Sequence, residues 1–217
     1  MNTIFIVLFV LVSLVHLYAS GKRNNKLRAV TKVLLLPMLL GWYLTTVDAP
    51  VGIVIAALAT SWLGDVLLIF GRVGFSVGGM FFLASHVCFA TAYCMHVDFA
   101  LVPVWVIICV PLAYFAVASL VFRGLKGCIQ PRRLHIGMFV YLLINGAMNC
   151  FALFQLVAMP CFATAIMYIG AVNFFASDSI LFYTRFRKNR PFKTHFLVML
   201  TYLIAEFLIL AGFTLVF

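Results

Sequence analysis

Long apolar runs, separated by short polar segments, make up almost the whole chain of 217 residues. A helix needs about 20 predominantly apolar residues to cross the hydrocarbon core of a bilayer. Eight runs approach this length, which predicts an all-α polytopic membrane protein with eight transmembrane helices in a single domain, 1–217. The predicted spans, of which the second is the shortest, are 3–20, 32–47, 51–70, 78–97, 100–121, 134–155, 160–183 and 195–217.

The composition excludes a soluble fold. Hydrophobic residues form 66% of the chain and charged residues 9%, whereas soluble domains average about 45–50% and about 25%. A net charge of +10 resembles that of a nucleic-acid-binding protein. The basic residues, however, are gathered in short clusters between apolar runs, as in the loops of a polytopic protein. We therefore expect contact with membrane lipids and none with nucleic acid.

The same basic residues predict the orientation in the membrane. All 15 lysines and arginines follow the first, third, fifth or seventh span, and none follows the second, fourth or sixth. Because basic loops stay in the cytoplasm, both termini are expected outside, and the loops 21–31, 122–133 and 184–194 inside. The first run carries its charge behind it, unlike a secretory signal peptide, so we expect it to be retained.

Three of the five acidic residues, Asp65, Asp178 and Glu206, lie within the apolar spans, and His86 joins them well inside the fourth span. A charge at such a position costs roughly 2.5–3.5 kcal/mol on insertion scales, which makes these residues candidates for function. Asp65 and Asp178 each precede the predicted cytoplasmic end of their span by five residues (70 − 65 and 183 − 178). We expect both in one layer below the cytoplasmic headgroups. The alternative is that such residues only hydrogen-bond neighbouring helices.

A short internal similarity links the segments 61–70 and 174–183. Both contain a small residue, an aspartate, two further residues and a leucine, just before a basic loop. An offset of four spans predicts a 4+4 repeat whose copies are parallel. We expect the third and seventh spans to pack together, with both aspartates facing one cavity and with Gly64 and Ser177 permitting the close approach.

Motifs of several catalytic classes are absent from the sequence. The six cysteines form no CxxC pair and are typical of small buried hydrophobes. Asp65 follows Trp62-Leu63-Gly64 and so lacks the first glycine of the GxGD motif of intramembrane aspartyl proteases. No GxSxG, HExxH or P-loop sequence occurs. We expect neither a metal nor a cofactor.

Four blocks of the sequence point to a family: Leu-Gly-Asp-Val-Leu-Leu at 63–68, Phe-Phe-Leu-Ala-Ser-His at 81–86 followed by Tyr93, Gly-Ala at 170–171 leading to Ser-Asp-Ser at 177–179, and Tyr-Leu-Ile-Ala-Glu-Phe-Leu-Ile at 202–209. With these blocks the chain resembles the YhhN or TMEM86 family of lysoplasmalogenases. The resemblance covers most of the chain from the third span onward. It implies an ether hydrolase that cleaves the vinyl ether of lysoplasmalogens to a fatty aldehyde and glycerophosphoethanolamine or glycerophosphocholine.

Paired carboxyl groups suit that chemistry. A vinyl ether is protonated at carbon, and water then captures the oxocarbenium ion, which requires one acid and one base or stabilising carboxylate. We expect Asp65 to be the acid, and Asp178, between Ser177 and Ser179, to be the better solvated, ionised partner. The catalytic candidates are Asp65, Asp178 and His86. The candidates for binding the lysophospholipid substrate are Lys32, Arg72, Asn145, Tyr183, Arg185 and Glu206, with the three basic residues as phosphate contacts.

Two other functions fit the residues. Intramembrane carboxylates and a repeat are also found in proton-coupled secondary transporters, here of a small or lipid-like solute. A non-catalytic lipid-binding or scaffold protein is a third reading. The position of both aspartates toward one face of the membrane favours the hydrolase. We expect a multi-pass protein of a bacterial inner membrane.

Overall fold

The computed structural model describes residues 2–130, 132–187 and 194–216, without the side chains of residues 2 and 72. The described residues form eight α-helices and one short 3-10 helix, and no strand occurs among them. The helices are α1 Asn2–Gly21, α2 Asn25–Thr46, α3 Gly52–Leu67, α4 Gly71–Cys94, α5 Val104–Gly124, α6 Arg132–Ala158, α7 Phe162–Phe186 and α8 Phe196–Val216, and the 3-10 helix is Phe99–Leu101.

Seven of the described helices are long and apolar enough to cross a membrane, and the protein is an integral, all-helical membrane protein. The exception is α3, whose 16 residues span about 24 Å at 1.5 Å per residue, less than the ~30 Å of hydrocarbon. The predicted span 51–70 is therefore too long. The chain turns after Leu67, and Gly71 begins α4 with φ +75°, a conformation that glycine adopts without steric cost.

The second helix begins earlier than predicted, and the expectation that the second span is the shortest is wrong. α2 has 22 residues and starts at Asn25 rather than at residue 32. The Asn24 side chain accepts a hydrogen bond from the Leu27 amide at 3.2 Å, which caps the helix. Lys26 and Arg28 therefore lie on a helix and not in the expected loop 21–31, because a basic residue does not end a helix by itself.

Glycines bring consecutive helices close together. A Cβ at Gly170 on α7 would lie 2.9 Å from the Ala205 carbonyl oxygen of α8, and one at Gly78 on α4 would lie 2.9 Å from the Gly64 oxygen of α3. Small residues at such crossings are typical of membrane bundles. Gly64 thus serves the contact with α4, and the Ser177 hydroxyl donates to the Val198 oxygen of α8 at 2.9 Å. Neither serves the expected approach of the third span to the seventh.

Helices α1 and α5 lie at the outside of the bundle, and the other six helices surround its interior. α1 packs on α2 and α8, and α5 packs mainly on α6. The neighbours of α3 are α2 and α4, and those of α7 are α6 and α8. A space therefore remains between α3 and α7, and the functional candidates face it.

Candidate active site

A cavity of about 680 Å³ lies among α2, α3, α4, α6, α7 and α8. Asp65 of α3 and Asp178 of α7 both line it, and they are only 1% and 6% exposed. The two aspartates are thus brought to one cavity, as the sequence predicts. Their positions relative to the helix ends differ, however. Asp65 lies two residues before the end of α3 (67 − 65), and Asp178 lies eight residues before the end of α7 (186 − 178). The short α3 brings them together.

Three side chains from two other helices converge on Asp178. Its Oδ2 accepts hydrogen bonds from the Tyr141 hydroxyl at 2.8 Å and from the Asn145 amide at 2.8 Å. The Nε2 of His86 lies 3.2 Å from the same oxygen and 2.9 Å from the Tyr141 hydroxyl. All three contacts go to Oδ2. Such donors stabilise a carboxylate, and they leave Oδ1 as the oxygen through which Asp178 can meet a molecule in the cavity.

Asp65 has different partners. The Nζ of Lys32 lies 3.0 Å from its Oδ1, and the Tyr202 hydroxyl donates to its Oδ2 at 2.8 Å. Both carboxylate oxygens are therefore engaged, one of them by a positive charge. An opposite charge at this distance favours the ionised form of a carboxyl group. Lys32, predicted as a phosphate contact, lines the cavity but is placed as the counter-ion of Asp65.

An aromatic ring joins the surroundings of the two aspartates. The ring of Phe174 packs edge-on against the His86 ring, with centroids 4.7 Å apart, and against the Tyr202 ring at 5.5 Å. His86 is a partner of Asp178 and Tyr202 a partner of Asp65. The partners of the two carboxyl groups thus belong to one packed cluster.

The serines beside Asp178 do not solvate it as expected. The Ser177 hydroxyl donates to the Val198 oxygen and the Ser179 hydroxyl to the Phe175 oxygen, at 2.9 and 2.8 Å. Serines in helices commonly bond backbone oxygens in this way. The reason for expecting Asp65 as the acid and Asp178 as the ionised partner therefore does not hold.

Several predicted site residues lie behind the cavity wall. His86 and Asn145 are fully buried and do not line the cavity, although both contact Asp178, which does. Glu206 is also fully buried and does not line the cavity. The Tyr183 hydroxyl lies against Gly124 of α5, on a face of α7 away from the cavity. None of these four residues lines the cavity.

Two arginines line the cavity. Arg185 lies 4.0 Å above the centre of the Phe75 ring and donates to the Gly71 oxygen at 3.4 Å. Arg28, one helical turn before Lys32, donates to the Asn25 side chain at 3.3 Å. Arg185 lines the cavity and stays a predicted phosphate contact, whereas Arg28 was not among the residues predicted from the sequence. The predicted contact Arg72 lies outside the described side chains.

One family of known proteins matches the chain. It is described as the YhhN family and matches over residues 27–213, a range that includes both aspartates and the side chains that contact them. The chain belongs to the YhhN family. No curated protein and no solved structure gives a significant match. Among the described residues of this YhhN member, no group of three or more histidines, cysteines or carboxylates could hold a metal ion.

The sequence analysis missed the two tyrosines of this YhhN site. Tyr141 and Tyr202 both line the cavity and hydrogen-bond the two aspartates. A signal existed for Tyr141, because Tyr141, Asn145 and Asn149 recur every four residues along α6, and residues four apart share one face of a helix. Tyr202 likewise precedes Glu206 by four residues on α8, but aromatic residues are common throughout the apolar spans and this signal is weaker.

Proposed function

We propose that the protein is a membrane-embedded hydrolase that cleaves the vinyl ether bond of lysoplasmalogens, giving a fatty aldehyde and a glycerophospho headgroup. The observation that carries the proposal is a largely apolar cavity in which two carboxyl groups have different partners beside three basic side chains. Membership of the YhhN family supports it. The basic groups suit a phosphate, the apolar wall suits a hydrocarbon chain, and the carboxyl groups suit acid–base chemistry at an ether.

The reaction consumes one water. A carboxylic acid donates its proton to the vinyl carbon that does not bear the oxygen, which leaves an oxocarbenium ion at the other vinyl carbon. Water adds to that carbon and loses a proton to a base, forming a hemiacetal. The hemiacetal then separates into the aldehyde and the free glycerol hydroxyl. One group must therefore be protonated and another ionised in the same site.

We assign Asp65 as the ionised group and Asp178 as the acid, the reverse of the expectation from sequence, because the Lys32 cation lies 3.0 Å from Asp65 whereas the partners of Asp178 are a tyrosine, an asparagine and a histidine. Lys32 stabilises the negative charge on Asp65, which can in turn stabilise the oxocarbenium ion and accept the proton from water. On Asp178, Oδ2 receives three contacts and Oδ1 carries the transferable proton. As that proton leaves, Tyr141 and Asn145 stabilise the carboxylate that forms, which is preorganised stabilisation of developing charge.

Arg28 and Arg185 are placed to receive the phosphate. Arg28 precedes Lys32 by four residues on α2, a rise of about 6 Å, and Lys32 contacts Asp65. A phosphate at Arg28 would thus bind one helical turn away from the residue that pairs with Asp65. This spacing suits a glycerophospholipid whose vinyl ether is at the first carbon of glycerol. Lys32 then acts on Asp65 rather than on the phosphate, and Arg72 stays a predicted contact.

Aldehyde release is the direct test of this function. We expect the purified protein in detergent to release fatty aldehyde from a lysoplasmalogen, measured by coupled aldehyde oxidation. The matched lipid with a saturated alkyl ether should release none, because its ether cannot be protonated at carbon. A folded protein that releases no aldehyde from either headgroup class contradicts the proposal. Proton-dependent lipid uptake into liposomes without cleavage would favour the transporter instead.

We also propose that both termini lie outside the cytoplasm of a bacterial cell and that the basic clusters lie inside. Single cysteines at Asp48 and Lys126, in a variant lacking the six native cysteines, provide the measurement. An impermeant maleimide added to intact cells should label Asp48→Cys, and it should label Lys126→Cys only after lysis. The opposite pattern contradicts the orientation. The pairing of α1 with α2, α3 with α4, α5 with α6 and α7 with α8 is compatible with the 4+4 repeat.

A further inference from the structure

The cavity has one wall that is also a membrane-facing surface. This wall is formed by α4, with Ser76, Gly79 and Met80, and by α6, with Gly137 and Val140. Met80 is 70% exposed and Val140 is 44% exposed, although both line the cavity. The same side chains thus face the cavity and the outside of the bundle. The wall is therefore thin between these two helices.

Two glycines leave this wall open. A Cβ at Gly79 or at Gly137 would meet no atom within 4 Å. The glycines at helix crossings are different, since a Cβ at Gly64, Gly78 or Gly170 would collide with the neighbouring helix. Glycine inside a helix costs roughly 0.5–1 kcal/mol relative to alanine, and no close approach accounts for it at Gly79 and Gly137. A side chain at either position would therefore enter free space beside this wall of the cavity.

We propose that this gap between α4 and α6, bounded by Gly79, Met80, Gly137 and Val140, is a lateral portal for the hydrocarbon chain of a single-chain phospholipid. The inference rests on the proposed function and adds the route by which the hydrocarbon chain of the substrate leaves the cavity. With the phosphate at Arg28 and Arg185, the chain extends from the carboxyl groups into the bilayer through the portal.

Two features of the cavity support this occupant. The cavity has basic residues at α2 and α7 and apolar residues at the portal, which is the polarity of a phospholipid from head to chain. Tyr141, which donates to Asp178, follows Gly137 by four residues on α6, about 6 Å along the helix. A vinyl carbon beside Asp178 therefore has its chain next to Gly137. The terminal part of the chain stays in lipid, so the cavity need not enclose it.

Filling the portal tests the proposal. Gly79→Leu and Gly137→Leu each place a side chain in the gap, and Gly52→Leu is the matched control, because Gly52 is equally open and does not line the cavity. Two lysoplasmalogens are compared, one with a chain that reaches the bilayer interior and one with a chain short enough to stay in the cavity. We expect kcat/KM for the long-chain lipid to fall about tenfold or more in both portal variants, because the leucine side chain takes up space that the hydrocarbon chain needs. The short-chain lipid and Gly52→Leu should change little.

Photo-crosslinking of the unmodified protein supplies a second readout that depends neither on a variant nor on turnover. The probe is a lysophospholipid with a saturated alkyl ether and a diazirine in the chain. We expect its adducts on α4 and α6, at Met80 and Val140. Adducts confined to other helices, or equal loss of both substrates in the portal variants, would overturn the portal. An unmodified protein that cleaves neither lipid yet gives adducts at Met80 and Val140 would refute the hydrolase and retain the portal.

Discussion

Replacement of Asp178 by asparagine is expected to lower the rate of aldehyde release about 10²–10⁴-fold, the contribution of one proton-transfer group. Asparagine has nearly the same shape as aspartate and can still accept the hydrogen bonds of Tyr141 and Asn145. It cannot donate a carboxylic proton. The measurement is kcat in detergent, together with the melting temperature and binding of the saturated ether analogue, both of which should be nearly unchanged.

Asp65→Asn and the double variant complete this test. Asp65→Asn should also lose activity, and the double variant should be little slower than either single one, because groups that act as a unit are not additive. Asp98→Asn is the matched control, since Asp98 caps the turn at Phe99–Leu101 by accepting from the Ala100 amide at 3.0 Å, which asparagine can also do. Near-normal turnover by Asp178→Asn would rule out the two-carboxylate mechanism.

Replacement of Lys32 by methionine is expected to destabilise the fold by about 3–5 kcal/mol, the usual result of removing one partner from a buried ion pair. Lys32 is 13% and Asp65 1% exposed, and methionine leaves the Asp65 carboxylate without its counter-ion. The stability can be measured by unfolding in mixed micelles. Activity should fall as well, because an Asp65 that takes up a proton no longer supplies the ionised group.

A double-mutant cycle separates the contribution of the ion pair to stability from that of side-chain packing. Adding Asp65→Asn to Lys32→Met should restore much of the lost stability, because the uncompensated charge is removed with the carboxylate. Lys26→Met, on the exposed side of the same helix, should change stability by less than about 0.5 kcal/mol. Equal losses of stability in Lys32→Met and Lys26→Met, or additive losses in the double variant, would show that the Lys32–Asp65 ion pair contributes nothing to stability.

The sequence by itself determined the class of the protein and its candidates for chemistry. Apolar runs must be helical in a bilayer, because no other structure satisfies the backbone of a single segment there. Counting these runs therefore gave the eight helices. The scarcity of charge in the runs identified Asp65 and Asp178, since each is costly at that depth, and the structure places both at one cavity. The blocks around them pointed to the YhhN family.

Only the tertiary structure decided which partner each carboxyl group has. Lys32 and Tyr202 are distant from Asp65 along the chain, as are Tyr141 and Asn145 from Asp178, and each pair meets across different helices. Apolar patterning reports which residues enter the membrane but not how a helix is rotated or how deeply it sits. Rotation and depth follow from packing between helices, and they placed Tyr183 and Glu206 away from the cavity. They also made Lys32 the partner of an aspartate instead of a phosphate.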